Sequence, residues 1–144
     1  MTGIRPMVEA DAEPAAELTT QLGYPVDAQA LRARLAELHA SDADGIFVAT
    51  DADDSAIAWI HVARLFLLEA SGLACIYGLV VDERHRSDGI GASLVEAAER
   101  WARERGATTV LVRSRSTRER AHRFYERLGY VEVKRSHVFE KPLV

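Results

Sequence analysis

The nine residues from Leu73 to Val81 (LACIYGLVV) contain no charged side chain and stop against Asp82-Glu-Arg-His-Arg-Ser-Asp88. An apolar run of that length between polar flanks reads as a buried central strand, and Gly78 inside it marks a bulge or a close backbone approach. Beyond the polar stretch, Gly89 and Gly91 open a segment in which Ile90, Leu94, Ala97, Ala98 and Trp101 share one helical face, and Gly106 ends it. Strand, polar loop and amphipathic helix, followed by the short strand at 110–112, predict a right-handed crossover between parallel strands.

Other elements fall in place around that unit. A strand-like start at 3–7 precedes a helix over 10–22 that stops at Gly23, with Pro25 following. Asp27 is placed to cap a helix over 28–39, where Leu31, Leu35 and Leu38 form an apolar stripe. Strands at 46–50 and 56–63 flank the turn-like Asp51-Ala-Asp-Asp-Ser55, a connection short enough for an antiparallel hairpin. A helix over 117–128 closes at Gly129, and 130–133 and 137–140 read as two last strands. No repeat, low-complexity tract or linker interrupts the order, and 144 residues suit one continuous domain, 1–144. The expected architecture is a mixed α/β sheet covered by helices.

The single cysteine, Cys75, excludes an internal disulfide and argues against a cysteine-based zinc site, so no metal is expected. Nothing approaches the ~20 consecutive apolar residues of a membrane span, and the first residues lack a basic-then-apolar leader pattern. A cytoplasmic protein without a membrane partner is the expectation. The net charge of −4 hides an asymmetry. From Met1 to Glu83 there are 4 Lys and Arg against 14 Asp and Glu, whereas from Arg84 to Arg135 there are 13 against 7. The basic half suits a polyanion and the acidic half a cation, while the acidic total argues against general nucleic-acid binding.

The loop before the long helix has the makings of a phosphate site. Amides at a helix start lack internal partners and carry the positive end of the dipole, and glycines let a phosphate approach them. Arg86 adds a cation. No Gly-Lys-Ser/Thr is present, so this is not a P-loop. Leu94 stands where the dinucleotide fingerprint needs its third glycine, and Gly89 lies eight residues past Val81, too far for that tight turn.

What remains, Arg86-x-x-Gly89-x-Gly91, resembles motif A (Gln/Arg-x-x-Gly-x-Gly/Ala) of the GNAT superfamily of acyl-CoA-dependent N-acetyltransferases. Ala121-His-Arg-Phe-Tyr-Glu-Arg-Leu-Gly-Tyr130 is similar to the family's motif B, in order and at family spacing, and the element order matches over nearly the whole chain. The resemblance implies an α/β (α+β) fold: a mixed, mostly antiparallel sheet of six to seven strands, a splayed central parallel pair, and about four flanking helices. It implies acetyl-CoA as cosubstrate, with its pantetheine arm against the strand end Leu79, Val80 and Val81. The diphosphate would lie on the amides from Arg86 through Ser87, Asp88, Gly89, Ile90, Gly91 and Ala92. Ser87 stands where glycine is common, and Asp88 brings a carboxylate to a place usually neutral or basic. Arg118 occupies the position of a CoA-contacting asparagine, with Arg113, Arg115, Arg120 and Arg123 as competing cations.

By the same resemblance, Tyr125 is the catalytic acid, placed to protonate or stabilise the departing CoA thiolate, and Phe124 is packing. A primary amine is mostly protonated at neutral pH and needs a base. Relatives often carry a carboxylate at the positions of Cys75 or Tyr77. This chain has none there, which leaves Glu69, His61 or a water chain past Ser114. His61 reads equally as a structural histidine with its hydrogen bonds met. The acceptor pocket would draw on Tyr24, Trp59, His61 and Tyr77. Motif B is also similar to aminoalkylphosphonate N-acetyltransferases and to small-amine or aminoglycoside-acetylating relatives. The implied activity is acetyl transfer to a primary amine of a small molecule. A non-catalytic acyl-CoA-binding or regulatory module, and a protein N-terminal or lysine acetyltransferase, are the alternatives. A homodimer is possible.

Overall fold

Asp51 turns the first hairpin: its Oδ1 accepts from the amides of Asp53 at 2.9 Å and Ser55 at 3.0 Å. Asp54 takes the left-handed φ of 62° that an aspartate tolerates better than most side chains. The chain so returns from β2 (Asp44–Thr50) into β3 (Ala56–Leu65) in a computed structural model that describes residues 3–86, 88–113 and 119–144. Two compact units are present, Met1–Arg113 and Ser114–Val144.

In the first unit, β1 (Gly3–Pro6), β2, β3, β4 (Leu73–Val81) and β5 (Thr109–Val112) form one sheet in chain order. All neighbours are antiparallel except β4 and β5, which are parallel as the crossover predicts. The long predicted helix at 10–22 is divided into a 3-10 turn, Glu9–Asp11, and α1 (Ala12–Leu22). Asp11 explains the break. Its carboxylate accepts from the Val8 amide at 2.8 Å and from both terminal nitrogens of Arg5 at 2.8 and 2.9 Å, tying the turn to β1. α2 (Ala28–His39) begins as expected, with Asp27 accepting from the Ala30 amide at 2.8 Å.

α1 and α2 cover one face of the sheet, where Ala15 and Leu35 pack with Met7, Ile46 and Val48. α3 (Ile90–Glu104) covers the other face through Ile90, Leu94, Val95, Ala98, Trp101 and Ala102. Gly45 makes that seat possible, since a Cβ there would stand 2.7 Å from the Trp101 ring. Among the described residues no helix is long and apolar enough to cross a membrane.

The second unit contains α4 (Glu119–Arg127). It ends on Gly129, φ 94°, with Gly129 N–H donating to Glu126 and Tyr130 N–H to Tyr125, each at 3.0 Å, the paired bonds of a glycine-terminated helix. The two last predicted strands are absent: residues 131–144 form no ladder, and among the described residues the sheet of six to seven strands is corrected to five. Strand propensity records a good fit to a half-buried pleated surface. Val131, Val133, Val138 and Phe139 instead stand 77–91% exposed.

Candidate active site

The site begins where β4 loses a neighbour. Among the described residues β5 pairs with β4 only from Leu73↔Thr109 to Ile76↔Val112, so the backbone of residues 77–81 has no β5 partner there. On its other side β4 stays paired with β3, but with a bulge: Val62 faces Ile76 while His61 faces Gly78, leaving Tyr77 as the extra residue. The glycine is needed for space and not for backbone freedom, because a Cβ at Gly78 would lie 2.9 Å from the Trp59 ring. Trp59 is held in place by Nε1–H donating to Thr19 Oγ at 3.2 Å, which fixes it as a wall. Of the predicted arm-binding residues, Val80 is buried and Leu79 and Val81 are half-buried, so they offer backbone before side chain.

Past Val81 the chain is pinned. Asp82 N–H donates to Ile57 at 2.8 Å, and the Glu83 amide donates to Gln21 of α1 at 3.2 Å. The Asp82 carboxylate caps the 3-10 turn Glu83–His85, accepting from the Arg84 amide at 2.9 Å and from its guanidinium at 2.9 and 3.1 Å. Those bonds hold its carboxyl down at about 2. Asp82 and Arg84 are site-building residues that the sequence reading missed; an aspartate just before a turn was the available signal.

Arg86 and Asp88 are exposed, and Ser87 lies outside the described residues. Gly89 adopts φ 77° as the residue before α3, and nothing lies within 4 Å of where its Cβ would be. The first helical bond is Ser93 N–H to Gly89 at 3.1 Å, so the Ile90, Gly91 and Ala92 amides precede it and lack intrahelical acceptors. Free amides, a positive helix end and open space above a left-handed glycine fit a diphosphate. The unpaired edge of β4 fits an amide-bearing arm. The residues present therefore suit acetyl-CoA.

On the face shared with α1 and α2, the register brings together a group that the sequence did not. His61 Nε2 lies 2.8 Å from Asp44 Oδ1, both side chains largely buried. The Tyr77 ring lies against the imidazole, centroids 5.4 Å apart. Partial burial, the Cys75 thiol and the Asp44 carboxylate push the Tyr77 phenol up, opposed by Arg113. Cys75 is fully buried, and that burial raises its thiol despite Arg113, so it is a poor nucleophile. Glu69 stands exposed in the loop joining β3 to β4 at the paired end, away from the bulge. Among the described residues no group of three His, Cys, Asp or Glu side chains is arranged to hold a metal ion.

Tyr125 belongs to α4 of the second unit, where its ring meets Phe124 and Tyr130 edge-on, centroids 5.0 and 5.8 Å away. Burial pushes its phenol up to about 12. Arg118 and Ser114 lie outside the described residues.

A family model described as "Acetyltransferase (GNAT) family" matches residues 9–130. The aminoglycoside N(6')-acetyltransferase type 1 of Stenotrophomonas maltophilia is 27% identical over 144 residues, covering 97% of this chain and 93% of that protein. The enzyme of the same name from Klebsiella aerogenes is 34% identical over 74 residues, which is 51% of this chain and about half (49%) of that enzyme's length. Among solved structures, the aminoglycoside N-acetyltransferase AAC(6')-Iy in complex with CoA has the same fold, with a TM-score of 0.84 at 22% identity over 99% of this chain and 96% of that one.

Proposed function

Because the chain belongs to the acetyltransferase (GNAT) family, whose model spans residues 9–130, we propose that it moves the acetyl group of acetyl-CoA to a primary amine of a small cationic molecule by direct attack. One observation carries the reading: β4 leaves residues 77–81 unpaired on the β5 side and leads through a pinned turn to the left-handed Gly89 at the start of α3. Acetyl-CoA supplies an acyl group already activated as a thioester. The chain's own residues bind, orient and move protons. The amides of Ile90, Gly91 and Ala92, with Arg86, hold the diphosphate charge, and Ser87 and Arg118 belong to the same proposed set. An N–H of the free edge near Leu79 stabilises charge gathering on the acyl oxygen. Tyr125 holds a proton on its phenol for the departing sulfur, and burial up to about 12 keeps that proton in place at neutral pH.

The relatives' names point to the acceptor to try first, an aminoglycoside, and the 14 acidic against 4 basic residues up to Glu83 favour such a polycation. The family match crosses both compact units, which supports one domain over 1–144. A cytoplasmic homodimer completes the reading, and light scattering checks the dimer. The absence of a carboxylate at Cys75 and Tyr77 of the central strand favours a second reading, a non-catalytic acyl-CoA-binding module.

Thiol release from acetyl-CoA across aminoglycosides, simple amines and peptides separates the two. Turnover with any small amine removes the module reading; no turnover anywhere removes the enzyme. Replacement of Tyr125 by Phe lowers kcat about 10²-fold or more while the acetyl-CoA-induced rise in Tm stays. A full rate in that variant ends the acid role.

A further inference from the structure

The family reading leaves one need unmet, a group that takes a proton from the acceptor ammonium. Among the described residues the part-buried Asp44–His61 pair, on the strands that flank the paired edge of β4, has no role in that reading. We propose that His61 is the general base of this enzyme and Asp44 its positioning residue, a pair assembled across β2 and β3 beside the β4 bulge. This inference rests on the acetyl-transfer reading above.

Place comes first. His61 is paired with Gly78, the residue next to the bulge, and the unpaired edge of β4 begins at Tyr77. Paired residues on adjacent strands lie about 5 Å apart, so the imidazole is one strand away from where the arm of acetyl-CoA would lie. The bulge has a second consequence. It aims Tyr77 at the imidazole, ring centroids 5.4 Å apart, and Tyr77 remains 47% exposed as a wall open to an acceptor.

Chemistry comes next. An ionised Asp44 can only accept, so at 2.8 Å the proton between the pair sits on His61 Nε2 and the lone pair on Nδ1. Nδ1 is then the atom that can take a proton, and the carboxylate fixes the tautomer and the orientation of the ring. The groups facing His61 are Asp44 from β2 and Tyr77 from β4, with Cys75 and Arg113 acting on Tyr77 in turn. Burial keeps the Cys75 thiol protonated, the Tyr77 phenol is pushed further above its ordinary value of 10, and Glu69 is at the other end of β4, so none of them competes.

The step balances. One ammonium proton passes to His61 Nδ1 and on to solvent. The nitrogen lone pair so freed forms the N–C bond as the C–S bond breaks and its electrons leave with sulfur. The sulfur leaves as the CoA thiol with the phenol proton of Tyr125, a second nitrogen proton restores that phenol, and one proton is released per turnover.

The test compares wild type, His61→Ala and Asp44→Asn as full chains on two acceptors: an alkylamine, protonated at pH 7, and a weakly basic arylamine, already neutral. His61→Ala should lose about 10²–10⁴-fold in kcat on the alkylamine and less than about tenfold on the neutral acceptor. Added imidazole should restore part of the alkylamine rate, and the acetyl-CoA-induced rise in Tm should be kept. Asp44→Asn should lose about tenfold or more on the alkylamine alone. Equal losses on both acceptors, no loss, or loss of the acetyl-CoA response would overturn the proposal and make the pair structural. If His61→Ala does not fold, the selective loss in Asp44→Asn decides. Wild-type turnover with unaffected variants refutes only the base, whereas a wild type inert to every amine refutes the acetyl-transfer reading and this inference with it.

Discussion

Residues 73–76 and 77–81 of β4 share one strand and one apolar composition, yet their surroundings differ. In the first half Ala74, Cys75 and Ile76 are 0–1% exposed, with a ladder on both sides. In the second half Val80 still enters the core, but β5 has ended and Tyr77 at the bulge lies against the His61 ring while remaining 47% exposed. A strand paired on both sides has no backbone group to offer. One paired on a single side has a row of them beside a packed wall, and this chain makes that difference by stopping β5 at Val112. Buried packing and exposed backbone thus fall to neighbouring stretches of the same nine residues, the second being the stretch proposed to bind acetyl-CoA.

Three substitutions probe that division, strongest first. Ile76→Ala in the doubly paired half should cost about 2–5 kcal/mol in urea unfolding, with acetyl-CoA affinity of the folded protein unchanged. If affinity falls with stability, the halves are not separable. Next, Gly89→Val forces a β-branched residue to φ 77° and fills the open space above the turn. It should cost about 1–3 kcal/mol and abolish the acetyl-CoA-induced rise in Tm. A retained rise would remove the amides of α3 from the diphosphate site.

The smallest effect concerns Asp82. Its carboxyl sits at about 2, below its ordinary value of 3.8, so the stabilisation it lends is complete above that value and is lost as pH falls towards 2. Asp82→Asn should flatten the fall in stability between about pH 4 and 2 and loosen the turn before Gly89, seen as a lower acetyl-CoA affinity at neutral pH. An unaltered acid profile would mean that Arg84 does not hold the carboxylate in solution.

Much of this was open to a reader of the sequence because it is local. The limits of β4 and α2 follow from an apolar run and an aspartate cap, and the turn before α3 from a glycine that alone tolerates its φ of 77° easily. The two last strands misled because alternating valines announce a capacity to pair and name no partner.

The Asp44–His61 pair was hidden for a different reason. Counted back without interruption from Thr50↔Ala56, His61 would face Gly45 and turn towards α3. A bulge between Ala49 and Thr50 shifts the register by one, sets His61 opposite Ile46, and so puts it on the face that carries Asp44. Sequence by itself determined most of the elements up to β5, the family and the glycine turn, because their causes lie within a few residues of one another. Which side chains meet on the sheet face beside the bulge of β4 was left to tertiary structure, because a single inserted residue reverses the face of every side chain beyond it.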